Sequence, residues 1–137
     1  MEGSGRNPSG GAETAKHFTP EEANATLPQL KPLVGELLSY REQIIAARTE
    51  LGPVLESAEF NGGSQRSSEV VELFGRTERC VQRIHALGCV LKDINQGLVD
   101  FPSHREGRQV FLCWKHGEER VGFWHDAESG FAGRQPL

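Results

Sequence analysis

The sequence predicts an α+β fold: an antiparallel two-helix hairpin, its first helix long and kinked at its start, packed on a small antiparallel sheet of two β-hairpins. Apolar residues recur with a helical period from about Thr19 to Leu87, and after Gly88 the period changes from 3.6 to 2. Turns carrying glycine or proline then punctuate the chain at short intervals to its end.

Residues 1–17 form the first element by exclusion. Met1 to Lys16 are rich in Gly, Ser, Asn and Pro and bury too little apolar surface to offset the entropy of ordering, so a disordered tail is expected. One domain of residues 18–137 follows. Thr19-Pro20-Glu21-Glu22 has the form of a capping box: a threonine oxygen for a free N–H, proline at the first helical position, and a glutamate reaching back. Pro28 and Pro32 each delete a donor and crowd the preceding turn, which predicts a broken or kinked start for a helix over residues 19–58.

Leu27, Val34, Arg41, Arg48 and Leu55 recur every seven residues, with Leu30, Leu37, Ile44 and Leu51 as a second series. Two arginines in one register argue for an antiparallel hairpin with coiled-coil character rather than a parallel zipper. Phe60-Asn61-Gly62-Gly63-Ser64 ends the helix. A second helix is predicted over 67–87, capped by Ser67 or Ser68 and stopped at Gly88. The first exceeds it by roughly ten residues, about 15 Å at a rise of ~1.5 Å per residue. That free length calls for a partner.

The β region spans residues 89–126. Cys89 to Ile94 and Leu98 to Phe101 read as one hairpin, turned at Asn95-Gln96-Gly97 and ended by Pro102. Arg108 to Lys115 and Arg120 to Asp126 read as another. With Gly117-Glu118 as the turn, Trp114 faces Val121, Leu112 faces Phe123 and Val110 faces His125, while Phe111, Cys113 and Trp124 take the other side. Both faces are then apolar, so the helices cover one, and the C-terminal segment 127–137, a second subunit or a ligand covers the other. A homodimer is expected on both grounds.

Composition narrows function. The chain has 137 residues, 15 Lys plus Arg against 19 Asp plus Glu, and a formal charge of −4. Its basic residues alternate with glutamates along the helices, which gives no footprint for nucleic acid. The amino terminus has no apolar run of a signal or anchor, and no stretch approaches the ~20 apolar residues of a membrane span. Cys80, Cys89 and Cys113, odd in number and far apart, fit a reducing, cytoplasmic compartment.

At Gly-Leu-Val-Asp-Phe-Pro (Gly97 to Pro102), Leu-Cys-Trp-Lys-x-Gly-Glu (Leu112 to Glu118) and Trp-His-x-x-x-x-Gly-Phe-Ala-Gly-Arg-Gln-Pro (Trp124 to Pro136) the chain closely resembles the domain-of-unknown-function family 2203, a family of uncharacterised bacterial proteins. Phe18-Thr19-Pro20-Glu21-Glu22-Ala23-Asn24 and Leu91 to Asp93 extend the likeness. The resemblance implies a bacterial origin and the same helical hairpin with a small sheet. It implies no activity, cofactor or catalytic residue.

Several residues are of a type that carries chemistry. His125, beside Asp126, suits acid or base work, although adjacent strand residues point to opposite faces. Its plainer role is to seal the rim of the core with a ring nitrogen bonded to a carbonyl. Cys113 and His116 have a C-x-x-H spacing, but they project to opposite faces and His125 lies across the sheet from Cys113, so no metal site is expected. Cys113 then reads as a small buried hydrophobe.

Asp93 and Asp100, on neighbouring strands, could share a proton or a divalent cation, or cap turns. A charge inside Leu-Val-Asp-Phe calls for a cation, and Arg134 is the expected one, pinning the tail over the sheet. Arg134, Gln135, Trp114 and His125 would otherwise form an anion pocket. The leading functional expectation is a non-catalytic, cytoplasmic, homodimeric interaction or scaffold protein with a specific surface on its C-terminal sheet and no cofactor. The alternative is a binding protein or enzyme for an anionic small molecule, using Asp93, Asp100, His125 and Arg134.

Overall fold

The computed structural model describes residues 17–56 and 64–137. The expected disordered tail and the Asn-Gly interhelical loop lie outside these residues, apart from His17 and Ser64. Two helices, α1 (Pro20–Glu56) and α2 (Ser64–Ala86), precede five strands: β1 (Val90–Asp93), β2 (Leu98–Arg105), β3 (Arg108–Lys115), β4 (Phe123–Asp126) and β5 (Gln135–Pro136). The α+β class holds.

The capping box forms at the start of α1. The Thr19 N–H donates to Glu22 Oε1 at 3.0 Å and the Glu22 N–H donates to Thr19 Oγ1 at 3.1 Å, which occupies two of the four N–H groups that any helix start leaves free. The helix does not break at Pro28 or Pro32 and runs as one α-helix through both. Both prolines are on its exposed side, where water takes up the carbonyls of Asn24 and Pro28 that their missing donors release.

Ala23, Leu27, Leu30, Val34, Leu37 and Ile44 are buried along α1 at spacings of three, four and seven. Its first turns pack on the sheet together with Phe18, and from about Leu33 onward it packs on α2, whose Cys80 lies against Leu33 and Glu36. The turns of α1 that precede its contact with α2 are covered by Phe18 and the sheet within one chain.

The strands form one antiparallel sheet in the order β1-β2-β3-β4-β5, as expected. Gly97, at φ 69°, makes the β1–β2 turn as expected. A Cβ there would sit 2.7 Å from His116 Cβ and 3.1 Å from Val34 Cγ1, so this glycine also lets the sheet close on α1. Strand β2 does not end at Pro102. It continues to Arg105 and pairs with β3 along its whole length, through a tight Glu106-Gly107 turn at φ 54° and 79°.

Pro102 is tolerated because β1 reaches only as far as Asp100, so its missing N–H faces an edge with no strand beside it. The Phe18 N–H donates to the Pro102 carbonyl at 2.7 Å on that edge, and Ser103 Oγ donates to the Phe18 carbonyl at 2.6 Å.

The pairing of β3 with β4 differs from the expected register by one residue. Val110 lies opposite Asp126, Phe111 opposite His125, Leu112 opposite Trp124 and Cys113 opposite Phe123. A slip of one exchanges the faces of a whole strand. Val110, Leu112, Trp114 and Trp124 face the helices with Val99 and Phe101. Phe111, Cys113, Phe123 and His125 take the far face with Asp100, so Phe111 and Trp124 lie on opposite sides rather than together.

The cause is the segment between the two strands, which is a seven-residue loop laid against α1. Val121 donates its N–H to Asn24 Oδ1 at 2.8 Å and accepts from Asn24 Nδ2 at 3.2 Å, and Lys31 Nζ donates to the Glu119 carbonyl at 3.0 Å. Trp114 Nε1 donates to the Glu118 carbonyl at 3.0 Å. These contacts hold residues 120–122 off the ladder, and β4 begins only at Phe123.

Candidate functional site

The sheet brings Asp100, Cys113 and His125 together on its far face from three adjacent strands. Asp100 of β2 and Cys113 of β3 are direct register partners, and His125 of β4 lies diagonally from Cys113. One donor atom from each lies within 4.8 Å of the other two. All three are buried, with residue exposures of 4%, 1% and 4%.

His125 Nε2 is 3.1 Å from Asp100 Oδ2 and 3.2 Å from Oδ1, while Nδ1 is 2.8 Å from the backbone carbonyl of Asp126. Phe111 stacks on the imidazole with ring centroids 5.6 Å apart. The Asp126 carboxylate is turned away and accepts from Ser129 and from the Glu128 N–H, so Asp126 orients His125 only through its main chain.

Arg134 does not meet Asp100. Its two terminal nitrogens grip Glu118 at 3.0 and 2.9 Å, and its guanidinium lies 4.0 Å from the ring centroid of Phe123 and 4.6 Å from that of Phe131. The C-terminal segment, with a 3₁₀ turn at Phe131–Gly133 and the short β5 paired to β4, is thereby fixed over the far face of the sheet. Asp93 accepts from the Asn95 N–H and from Gln96 Nε2 and so caps the β1–β2 turn. Trp114 is fully buried on the helix-facing side, and Gln135 is exposed on β5. Asp93, Trp114, Arg134 and Gln135 therefore do not converge with the triad.

One family profile matches the chain over residues 16–137, and the family is described as uncharacterized conserved protein (DUF2203). The chain belongs to DUF2203. The match covers every element of the fold and all the residues above, as the motif resemblance implied. No curated protein and no solved structure matches the chain.

In this DUF2203 chain the protonation of the cluster follows from its geometry. A carbonyl oxygen accepts only, so Nδ1 of His125 carries a proton and donates it to Asp126. Nε2 then faces the Asp100 carboxyl, and one proton between the two makes a buried hydrogen bond that joins β2 to β4 across β3.

Cys113 is poorly prepared as a nucleophile. Burial first, and then the charge of Asp100, push its thiol up to about 12 against the opposing pull of Arg134. His125 is engaged by Asp100 and Asp126 and does not activate it. The donor set nonetheless contains a nitrogen, a sulfur and a carboxylate, the three ligand types that zinc accepts.

Asn24 and Glu118 are the residues that sequence reading missed. Asparagine in the second turn of a helix competes with the helix for its own backbone, and such a residue asks for a tertiary partner. A glutamate in the expected Gly117-Glu118 turn has the pattern of a solvated hairpin charge. Its role depends on a contact with Arg134 sixteen residues away, for which no local pattern exists.

Proposed function

We propose that this protein is a non-catalytic, cytoplasmic interaction protein that acts as a homodimer. The observation that carries the reading is that its chemically capable side chains are engaged with one another: Asp100 with His125, Glu118 with Arg134, and Asp93 with its own turn. A binding or catalytic site would leave such groups converging on an open concavity with free lone pairs. Three buried free thiols support a reducing compartment, and no described helix is long and apolar enough to cross a membrane.

The exposed apolar side chains favour the helical hairpin, rather than the sheet, as the interaction surface. Ile45, Val71 and Phe74 are 46%, 68% and 51% exposed. Phe74 stands at the rim of a hollow of about 290 Å³ that is also lined by Ile44, Ile45 and Ile94, with Arg41 and Arg48 alongside. A ring beside a hollow suits a two-fold contact in which each copy fills the other's recess.

Size-exclusion chromatography with light scattering tests this. The intact chain is expected to run as a dimer at micromolar concentration, and Phe74→Glu as a folded monomer. A monomeric intact chain would overturn the homodimer. Thermal stabilisation by an anionic metabolite, lost in a folded Arg134→Ala variant, would overturn the non-catalytic reading in favour of a small-molecule site.

A further inference from the structure

We infer that Asp100, Cys113 and His125 bind one divalent transition-metal ion of the zinc class, which staples strands β2, β3 and β4 together. The three donor atoms lie within 4.8 Å of one another. Ligand bonds of about 2.0 to 2.3 Å around a tetrahedral ion place neighbouring donors roughly 3.3 to 3.8 Å apart, so the observed 3.1 and 3.2 Å between His125 and Asp100 need only a small outward shift. Both oxygens of Asp100 are equally near the imidazole. With Nε2 and Sγ they present up to four donor atoms.

The surroundings suit an ion as well as the donors do. A histidine that ligates through Nε2 characteristically donates its other N–H to a carbonyl or carboxylate, which fixes the ring, and His125 Nδ1 already does so to Asp126 at 2.8 Å. A divalent ion with a thiolate, a neutral imidazole and a carboxylate sums to zero charge, which suits a buried site.

The thiol must give up its proton to bind, so uptake of the ion depends on pH. The site is sealed on the far face of the sheet, which matches closed structural sites rather than catalytic ones.

The test uses the full chain, stripped with a chelator and titrated with Co²⁺ and then Zn²⁺. One equivalent of Co²⁺ per chain is expected to give a thiolate-to-metal charge-transfer band with visible tetrahedral d–d bands. Zn²⁺ should displace Co²⁺ and abolish both. Cys113→Ser should lose the charge-transfer band and bind roughly tenfold or more weakly. Cys80→Ser, Cys89→Ser and His104→Gln should keep it, the last as a control for ion capture by the His17–His104 pair, whose ring centroids lie 4.0 Å apart.

The intact protein alone can overturn the inference, whether or not any variant folds. Absence of a charge-transfer band at stoichiometric Co²⁺ would mean that the cluster is a proton-held pair only. A band that survives Cys113→Ser would place the ion elsewhere.

Discussion

His125 and Asp100 face each other across the middle of the sheet with Nε2 3.1 Å from Oδ2 and about 5% of each side chain accessible. Removing the imidazole alone leaves a carboxylate buried beside a neutral thiol. His125→Ala in the metal-free protein is expected to destabilise the fold by about 3–5 kcal/mol, the range for a buried pair broken on one side. The double variant His125→Leu/Asp100→Leu should cost much less than the sum of the two single changes. Urea denaturation of the intact protein, His125→Leu, Asp100→Leu and the double variant checks this, and additive losses would show that the two groups are not coupled.

The Glu118–Arg134 pair predicts acid sensitivity. Burial pushes the Glu118 carboxyl up, but bonds from Arg134 and from the Lys115 N–H, with the charges of both residues, outweigh it and hold the group below its ordinary 4.5. A carboxyl depressed on folding gives stability that is present above its unfolded value and is lost as pH falls through the folded one. Glu118→Gln should cost roughly 1–3 kcal/mol at pH 7 and flatten the stability curve below about pH 4.5. Thermal melts of both proteins from pH 7 to pH 3 measure the difference, and parallel curves would contradict the assignment.

Asn24 fixes the loop between β3 and β4 through both ends of its amide. Asn24→Ala strips the Val121 N–H of its partner and is expected to cost about 1–3 kcal/mol. Asn24→Asp keeps the acceptor for the Val121 N–H but loses the bonds to the Val121 and Pro20 carbonyls and sets an oxygen against both. Hydrogen exchange offers a local readout: the Val121 amide should lose protection in Asn24→Ala and retain most of it in Asn24→Asp.

The cysteines should be slow to react. Burial pushes Cys89 and Cys113 up to about 12 and Cys80 up to about 11, Cys80 with help from a hydrogen bond to Glu36. At pH 7 to 8 each is a neutral, covered thiol. Ellman's reagent is expected to titrate close to zero thiols in the native protein and three after denaturation. Rapid labelling of one native cysteine would identify a site with a different environment.

The elements whose causes are local were legible in the sequence. The Thr19–Glu22 box, the apolar spacing of α1, the stop near Gly88 and the positive φ at Gly97 each depend on residues within a few positions of one another. The β3–β4 register was not legible, because it is set by Asn24 acting on Val121 from ninety-seven residues away. That single slip carried the candidate site with it. With His125 on the wrong face, Cys113 seemed to have no polar neighbour and Asp100 seemed to need Arg134. Pro102 misled for a related reason: a proline ends a strand only where its N–H would have had a partner, and whether β1 extends that far is a tertiary fact.

The bond between the Phe18 N–H and the Pro102 carbonyl bears on how the molecule stays monodisperse. Past Asp100 the outer border of β2 is an extended ribbon of the kind that templates intermolecular strand addition and fibril growth. Phe18 occupies it as a single stitch, and the imino acid at 102 withholds the donor another chain would seek. Proteolytic trimming up to His17 would leave that guard in place. Cleavage one residue further would uncover Ser103 and the ribbon together, and turbidity on storage should set in at that cut rather than earlier.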